Sequence, residues 1–317
     1  MKNDPKTLIE AIKYFADPEV THQTMVNLRW PDGVHCPTCG RTDVRFISTR
    51  RMWECKEKHP RRQFSSKVGT IFEDSPLGLD KWFAAIWMVA NCKNGISSYE
   101  IARDLGITQK SAWFLDHRIR LAMKAGSILK MEGEVEADES FIGGLAKNMH
   151  AKKRKHIGTG GAEKTAVLGI LRRKSKKSGS KVKAMVIPNA RAETLEPIIR
   201  SAVETGSQLY TDAWAGYRGL SADYRHAVVD HAMEYVRDAV HTNGIENFWS
   251  LLKRTIKGTY VNVEPFHLGR YLDEQAFRFN EREDNDFGRF TSVLSSVSGR
   301  RLTYKELIGN EAKATAP

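Results

Sequence analysis

Glu134-Val135-Glu136-Ala137-Asp138-Glu139-Ser140-Phe141-Ile142-Gly143-Gly144 decides the fold. Its period-two alternation reads as a β-strand, and it sets Glu134, Glu136 and Asp138 on one side. Acids repeated along one strand face are either solvated or gathered around a cation. Four more β-rich runs follow at 165–171, 182–187, 208–211 and 227–229. A helix-like segment at 192–203 separates the third run from the fourth, and two helical patterns near 245–256 and 268–279 close the region. This order predicts an α/β or α+β layered domain.

Two further stretches carry chemistry in the same region. Leu209-Tyr210-Thr211-Asp212-Ala213-Trp214 ends an apolar β-run on Asp212, and a carboxylate at a strand end suits a hard divalent cation. His241-Thr242-Asn243-Gly244-Ile245-Glu246-Asn247-Phe248-Trp249 opens a helix that continues through Ser250-Leu251-Leu252-Lys253-Arg254. Glu246 and Lys253, two turns apart, share a helix face. A purely structural account also exists: Asn243 as N-cap with Glu246 at N3 makes a capping box, which would itself aim Glu246 at the strands. Lys152-Lys153-Arg154-Lys155, followed by Gly158-Thr159-Gly160-Gly161, reads as a DNA-facing loop, and Arg172-Arg173-Lys174-Ser175-Lys176-Lys177 as a hairpin between strands. Solubilising charge is the alternative for both. The glycines do not form G-x-x-x-x-G-K-[ST], so nucleotide hydrolysis has no support.

Upstream, residues 76–130 read as helical. Trp82, Phe83, Ile86, Trp87, Val89 and Ala90 recur at helical spacing. Within this part, 96–113 reads as helix, Gly106 turn and second helix, with Thr108 as N-cap and Gln109, Lys110 and Ser111 on the first turn. That is a helix-turn-helix presenting a recognition helix, or else an ordinary helical hairpin. Asp17-Pro18-Glu19 marks a helix start nearer the N-terminus. Cys36-Pro37-Thr38-Cys39 is a C-x2-C knuckle, followed after 15 residues by Cys55 and His59. This spacing suits a tetrahedral structural Zn2+, with His59 the weaker ligand; a redox C-x-x-C with an unrelated Cys55 is the alternative. Cys92 reads as a small buried side chain. Lys56, Lys58, Arg61, Arg62 and Lys67 make the ribbon basic, for phosphates or for solvent.

Composition agrees with a polyanionic partner. Among 317 residues, 50 Lys+Arg against 38 Asp+Glu leave a net charge of +12. No apolar run reaches a membrane span, no secretory signal is visible, and four cysteines are too few for a disulfide scaffold, which points to a cytoplasmic protein. The expected divisions are 1–75 (N-terminal helices and zinc ribbon), 76–130 (helical DNA-binding domain), 131–300 (catalytic domain) and 301–317 (a frayed tail).

From about residue 20 to 285 the chain resembles bacterial insertion-sequence transposases of the DDE superfamily, in the branch with an N-terminal zinc ribbon. The resemblance rests on the ribbon, the helix-turn-helix, Val135-Glu136-Ala137-Asp138-Glu139-Ser140, Tyr210-Thr211-Asp212-Ala213-Trp214 and His241-Thr242-Asn243-Gly244-Ile245-Glu246, in that order. Gly258-Thr259-Tyr260 and Arg278-Phe279-Asn280-Glu281-Arg282 resemble the branch's closing segment. It implies a multidomain chain whose α/β catalytic domain is RNase H-like, with a mixed five-stranded sheet. Asp138 and Asp212 match the first two metal-binding residues, and Asn243 or Glu246 the third, with Glu246 the better cation ligand. Lys253 matches a basic residue that contacts DNA. Catalytic Mg2+ (or Mn2+) and structural Zn2+ are the implied cofactors. Double-stranded DNA is the implied partner, as terminal inverted repeats and as target. Gln109, Lys110 and Ser111 would read it, while Arg61, Arg62, Lys153, Arg154, Lys155 and Arg254 meet phosphates. Cutting two ends together implies a dimer or higher oligomer on DNA, in the nucleoid and away from membranes. Where the family has a second C-x-x-C-like knuckle, this chain has Cys55 and His59. A catalytically silent DNA-binding regulator is a second reading, which the three carboxylates oppose. Another RNase H-like nuclease, such as a junction resolvase, is a third, which the ribbon and helix-turn-helix oppose.

Overall fold

Side-chain caps set the first helices. Thr7 caps α1 (Leu8–Tyr14), and Asp17 caps α2 (Pro18–Arg29) by accepting the Glu19 N–H, with Pro18 in the first turn as its fixed φ favours. The computed structural model describes residues 4–124, 126, 130–143, 164–176, 178–229 and 241–310. It divides into two units, Met1–Met123 with Asp284–Pro317, and Lys124–Glu283.

In the first unit, β1 (Val44–Ile47), β2 (Met52–Cys55) and β3 (Gln63–Phe64) form an antiparallel sheet. Trp30, Trp53 and Phe64 close a small core over Cys36 and Cys55. α3 (Leu79–Asn91) is buried along most of its length, including Trp82, Phe83, Ile86 and Trp87; Cys92 is its C-cap and is half-buried. α4 (Ser98–Leu105) starts in a Ser97/Glu100 capping box, worth about 1 kcal/mol. It ends at Gly106, whose φ of 60° is left-handed and favours glycine. α5 (Gln109–Met123) follows, with Thr108 accepting the Ser111 N–H at 3.2 Å.

In the second unit, β4 (Glu134–Ile142), β5 (Thr165–Arg172), β6 (Lys181–Val186), α6 (Ala192–Ala202), β7 (Gln208–Asp212), β8 (Arg225–Val229), α7 (Asn243–Thr255) and α8 (Leu268–Asn280) run in chain order. The sheet order is β6-β5-β4-β7-β8. β5 is antiparallel to β4 and β6, whereas β7 lies parallel to β4 and β8, so the five-stranded sheet is mixed, as expected. Val135, Ala137, Leu168, Ile170 and Leu209 face Leu195 and Ile199 of α6. Val167, Leu171 and Val182 face Ile245, Phe248, Trp249 and Leu252 of α7 and Leu272 of α8. Alternation along each strand thus feeds two apolar layers, and β4 runs through the centre of the sheet.

The C-terminal segment corrects the expected divisions. α9 (Asp286–Ser295) and α10 (Tyr304–Leu307) belong to the first unit, not to a catalytic domain ending at 300 or to a frayed tail. Phe290 of α9 packs on Phe15, Phe83 and Trp87, and Leu302 and Leu307 are buried. Arg118 of α5 donates to the carbonyls of Ile71, Glu73 and Leu302, tying remote segments together. Nor does a boundary fall at 75, because Phe15 packs edge-on against Phe83. Among the described residues, no helix is long and apolar enough to cross a membrane.

Candidate functional site

Asp138 lies mid-way along β4, opposite Gly169 of β5. The parallel ladder pairs Glu136 with Tyr210, and the same register carried two residues further sets Asp138 beside Asp212 at the end of β7. Gly169 leaves the space α7 needs: a Cβ there would stand 2.6 Å from Ile245 Cδ1 and Trp249 Cζ2. The Trp249 indole reaches across and donates to Asp138 Oδ2 at 2.9 Å. Burial, and next the charge of Asp212, push the Asp138 carboxyl up to about 6; the Trp249 hydrogen bond opposes this and Glu246 adds to it. The three carboxylates predicted as ligands therefore share one electrostatic neighbourhood.

A fourth acid escaped the sequence reading. Glu139 follows Asp138 and so points to the opposite face, where it meets Tyr217. Burial pushes its carboxyl up to about 7, the Tyr217 hydroxyl pulls it down, and Asp212 and Asp138 raise it again. Glu139 Oε1 is enclosed without a well-formed hydrogen bond. Asp138 and Glu139, raised by burial and then by neighbouring carboxylate charge, suit a hard dication, which would relieve that repulsion. The cluster is open, however. Among the described residues, only the ribbon cysteines and His59 gather three or more donor atoms closely enough to enclose an ion. Mg2+ is commonly held by one or two carboxylates with substrate phosphates completing the shell, which matches an open cluster.

Glu136 is spent on architecture. It is 1% exposed, accepts from Arg173 Nε at 2.7 Å, and accepts the Ile245 N–H at 2.8 Å. Arg173 lies 4.0 Å above the Tyr210 ring and also donates to the His241 carbonyl at 2.5 Å. A strand carboxylate thus caps the start of α7, where free N–H groups and the helix dipole favour an anion. Gly244 permits the approach, since a Cβ would meet Glu136 Oε2 at 2.9 Å. The predicted capping box is not formed. Thr242 is the N-cap, Asn243 begins the helix, and Glu246 accepts from the Thr242 hydroxyl at 2.9 Å. The expected cationic hairpin is corrected at Arg173, whose half-buried guanidinium is engaged in this network. Glu246 and Asn243 are exposed in the first turn of α7, and Lys253 and Arg254 are exposed near its end.

In the ribbon, the Cys36, Cys39 and Cys55 sulfurs and a His59 nitrogen all lie within 4.8 Å of one another. The Cys36 N–H donates to the Arg41 carbonyl and the Gly40 N–H to the Cys36 carbonyl, closing the knuckle, with Gly40 at a φ of 75°. Burial pushes the Cys36 thiol up, but the backbone N–H groups of Cys39 and Thr38, with neighbouring thiols, outweigh it and hold it at about 7. His59 Nδ1 donates to the Pro60 carbonyl at 2.7 Å, which leaves Nε2 for a metal. Three thiols and an imidazole at this spacing fit a structural Zn2+.

Comparison with known proteins agrees with this geometry. Residues 130–280 match the ISXO2-like transposase domain, and residues 17–58 match the transposase zinc-ribbon domain. A transposase-like protein of Haemophilus influenzae, itself uncharacterised, is 35% identical over 104 residues, covering 32% of this chain and 84% of that one. The chain belongs to the ISXO2-like transposase family. An uncharacterised protein in transposable element ISH50 of Halobacterium salinarum is 26% identical over 258 residues, 77% of this chain and 84% of that one.

The residues expected to meet DNA in this transposase-family chain have mixed surroundings. Gln109 donates to the Ser98 hydroxyl at 3.0 Å, Lys110 lies 4.8 Å above the Tyr304 ring, and Ser111 is bonded to Thr108. Lys110 and Ser111 remain exposed. Arg62 donates to the Cys55 carbonyl, and Arg61 is 75% exposed beside Glu73. Lys67 is corrected from a phosphate contact to a structural one, because its ammonium donates to the carbonyls of Ser75 and Leu77. Lys153, Arg154 and Lys155 lie outside the described residues.

Proposed function

We propose that the chain is an insertion-sequence transposase that cuts DNA at the element's ends and joins it to a target by in-line phosphoryl transfer. The observation that carries this reading is the shared electrostatic neighbourhood of Asp138 on the central strand, Asp212 at the end of the adjacent parallel strand and Glu246 in the first turn of α7. The strand order, with β4 central and one antiparallel partner, supports an RNase H-like assignment for this unit. Divalent cations, Mg2+ or Mn2+, would supply charge neutralisation at the scissile phosphate and activation of the attacking oxygen. Asp138 and Asp212 would hold them, with Glu246 as the third ligand in preference to the neutral amide of Asn243. Glu136 and Arg173 fix the start of α7, and so the position of Glu246. Trp249 orients Asp138. Lys253 and Arg254 offer cations to the DNA backbone on the same helix. Water would be the first nucleophile and a DNA 3′-hydroxyl the second, with no covalent protein–DNA intermediate.

The α4–Gly106–α5 hairpin is read as a helix-turn-helix, with Lys110 and Ser111 facing the terminal repeats. Gln109 would have to release Ser98 to do so. Arg61 and Lys58 of the ribbon would meet phosphates, which fix register without reading sequence. Concerted cutting of two ends requires a dimer or higher oligomer on DNA in the cytoplasm.

Incubating the protein with a duplex carrying the DNA that flanks its gene, in Mg2+ and in EDTA, tests the reading. Metal-dependent breaks at the edge of an inverted repeat are expected. Tight binding without cleavage would instead support a silent regulator, and cleavage of branched DNA alone a resolvase.

A further inference from the structure

Trp214, two residues beyond Asp212, is a large aromatic and is 53% exposed. Its backbone N–H donates to Asp212 Oδ1 at 3.1 Å, so the residue is coupled to the carboxylate. Its indole N–H donates to the Ala190 carbonyl at 2.7 Å, which fixes the ring. The ring's pyrrole edge rests over Gly216, where a Cβ would lie 2.9 Å from both Cδ1 and Nε1. Trp214 also caps the 3-10 helix Ala215–Ala222, whose Tyr217 faces Glu139. One edge of the indole is therefore anchored at a close backbone approach while about half of its surface stays open to solvent. Exposing so much apolar ring costs solvation unless something covers it, and a ring already held in place loses little freedom when covered.

From this geometry we infer that Trp214 is a stacking platform for an unpaired nucleobase next to the scissile phosphate. The inference rests on the transposase reading, which brings a phosphodiester to Asp212. A base next to that phosphate would offer the open face of the ring a flat, apolar surface. Stacking on an aromatic is indifferent to base identity, since every base has a π-face. Trp214 is thus a positioning residue: it would hold the end of the strand in line with the attacking oxygen and would leave sequence reading to other elements.

The test compares wild type, Trp214→Ala and Trp214→Phe on three duplexes: intact, and abasic at either nucleotide flanking the cut. On intact DNA, Trp214→Ala should slow cleavage on the order of ten- to one-hundred-fold, and Trp214→Phe, which keeps a ring, by much less. At one abasic position, wild type should slow to the rate of Trp214→Ala, and the difference between them should vanish. Equal slowing of Trp214→Ala on intact and abasic DNA would overturn the inference in favour of a structural role, as would no slowing at all. A second readout needs no cleavage: 2-aminopurine at the flanking position, bound in EDTA, should emit less with wild type than with Trp214→Ala. Equal emission overturns the platform. Failure of wild type to cut any duplex contradicts the transposase reading by itself, and the emission comparison still decides the platform.

Discussion

At the residue scale, the second unit concentrates acids that do two different jobs. Glu136 is paired and enclosed, so Glu136→Ala strands the Arg173 guanidinium and uncaps α7. Removing one partner of a buried pair costs about 3–5 kcal/mol, measurable by urea unfolding, and Glu136→Gln should cost less because its amide oxygen still accepts the Ile245 N–H. Asp138 and Glu139 are the reverse case, held above their ordinary values at about 6 and about 7. A carboxyl raised in the folded state binds more protons folded than unfolded between its two pKa values. Its stabilising contribution is therefore fully present below about pH 4 and is lost as pH rises through 6 to 7. Thermal melts without divalent metal should show this unit losing stability across that window. Added Mg2+ or Mn2+ should restore it at pH 7.5 and do little at pH 5. A flat profile, or equal metal effects at both values, would remove the clustered-carboxylate account.

At the element scale, legibility followed sequence distance. The bounds of β4 were readable because its alternation is local, and α7 was readable as a helix from Ile245, Phe248, Trp249 and Leu252. Its cap was misplaced because the decisive acceptor is Glu136, more than a hundred residues earlier and silent in any local window. Arg173 read as hairpin charge for the same reason, and Glu139 was passed over because alternation assigns it to the other face. α9 was assigned to the wrong unit because its partners, Phe15, Phe83 and Trp87, lie near the opposite end of the chain. Seating of α7 depends on Gly169, so Gly169→Ala should cost about 1–3 kcal/mol by overpacking and should lower cleavage by displacing Trp249 from Asp138. The ribbon makes a parallel prediction. Cys36 and Cys55 belong to both the candidate zinc site and the small core, with Trp30 and Trp53 beside them. A strong zinc chelator should release one zinc per chain and shift tryptophan emission to the red; unchanged emission on zinc loss would mean the metal does not hold this core.

At the scale of the whole molecule, a net charge of +12 and the exposed Lys110, Lys253 and Arg254 argue for binding in which counterion release is a large term. Affinity for DNA should fall linearly with salt on logarithmic axes, and Lys110→Ala or Arg254→Ala should each reduce the slope by about 1 if that side chain meets a phosphate. The central claim is that Asp138 and Asp212 form a metal-dependent strand-cleaving centre, separable from DNA binding. The most direct measurement is Mg2+-dependent cleavage of the gene-flanking duplex by wild type, Asp138→Ala and Asp212→Ala, with binding measured in parallel. The account predicts that each variant binds within a few-fold of wild type and leaves both strands uncut. Cleavage at wild-type rates by either variant would contradict it.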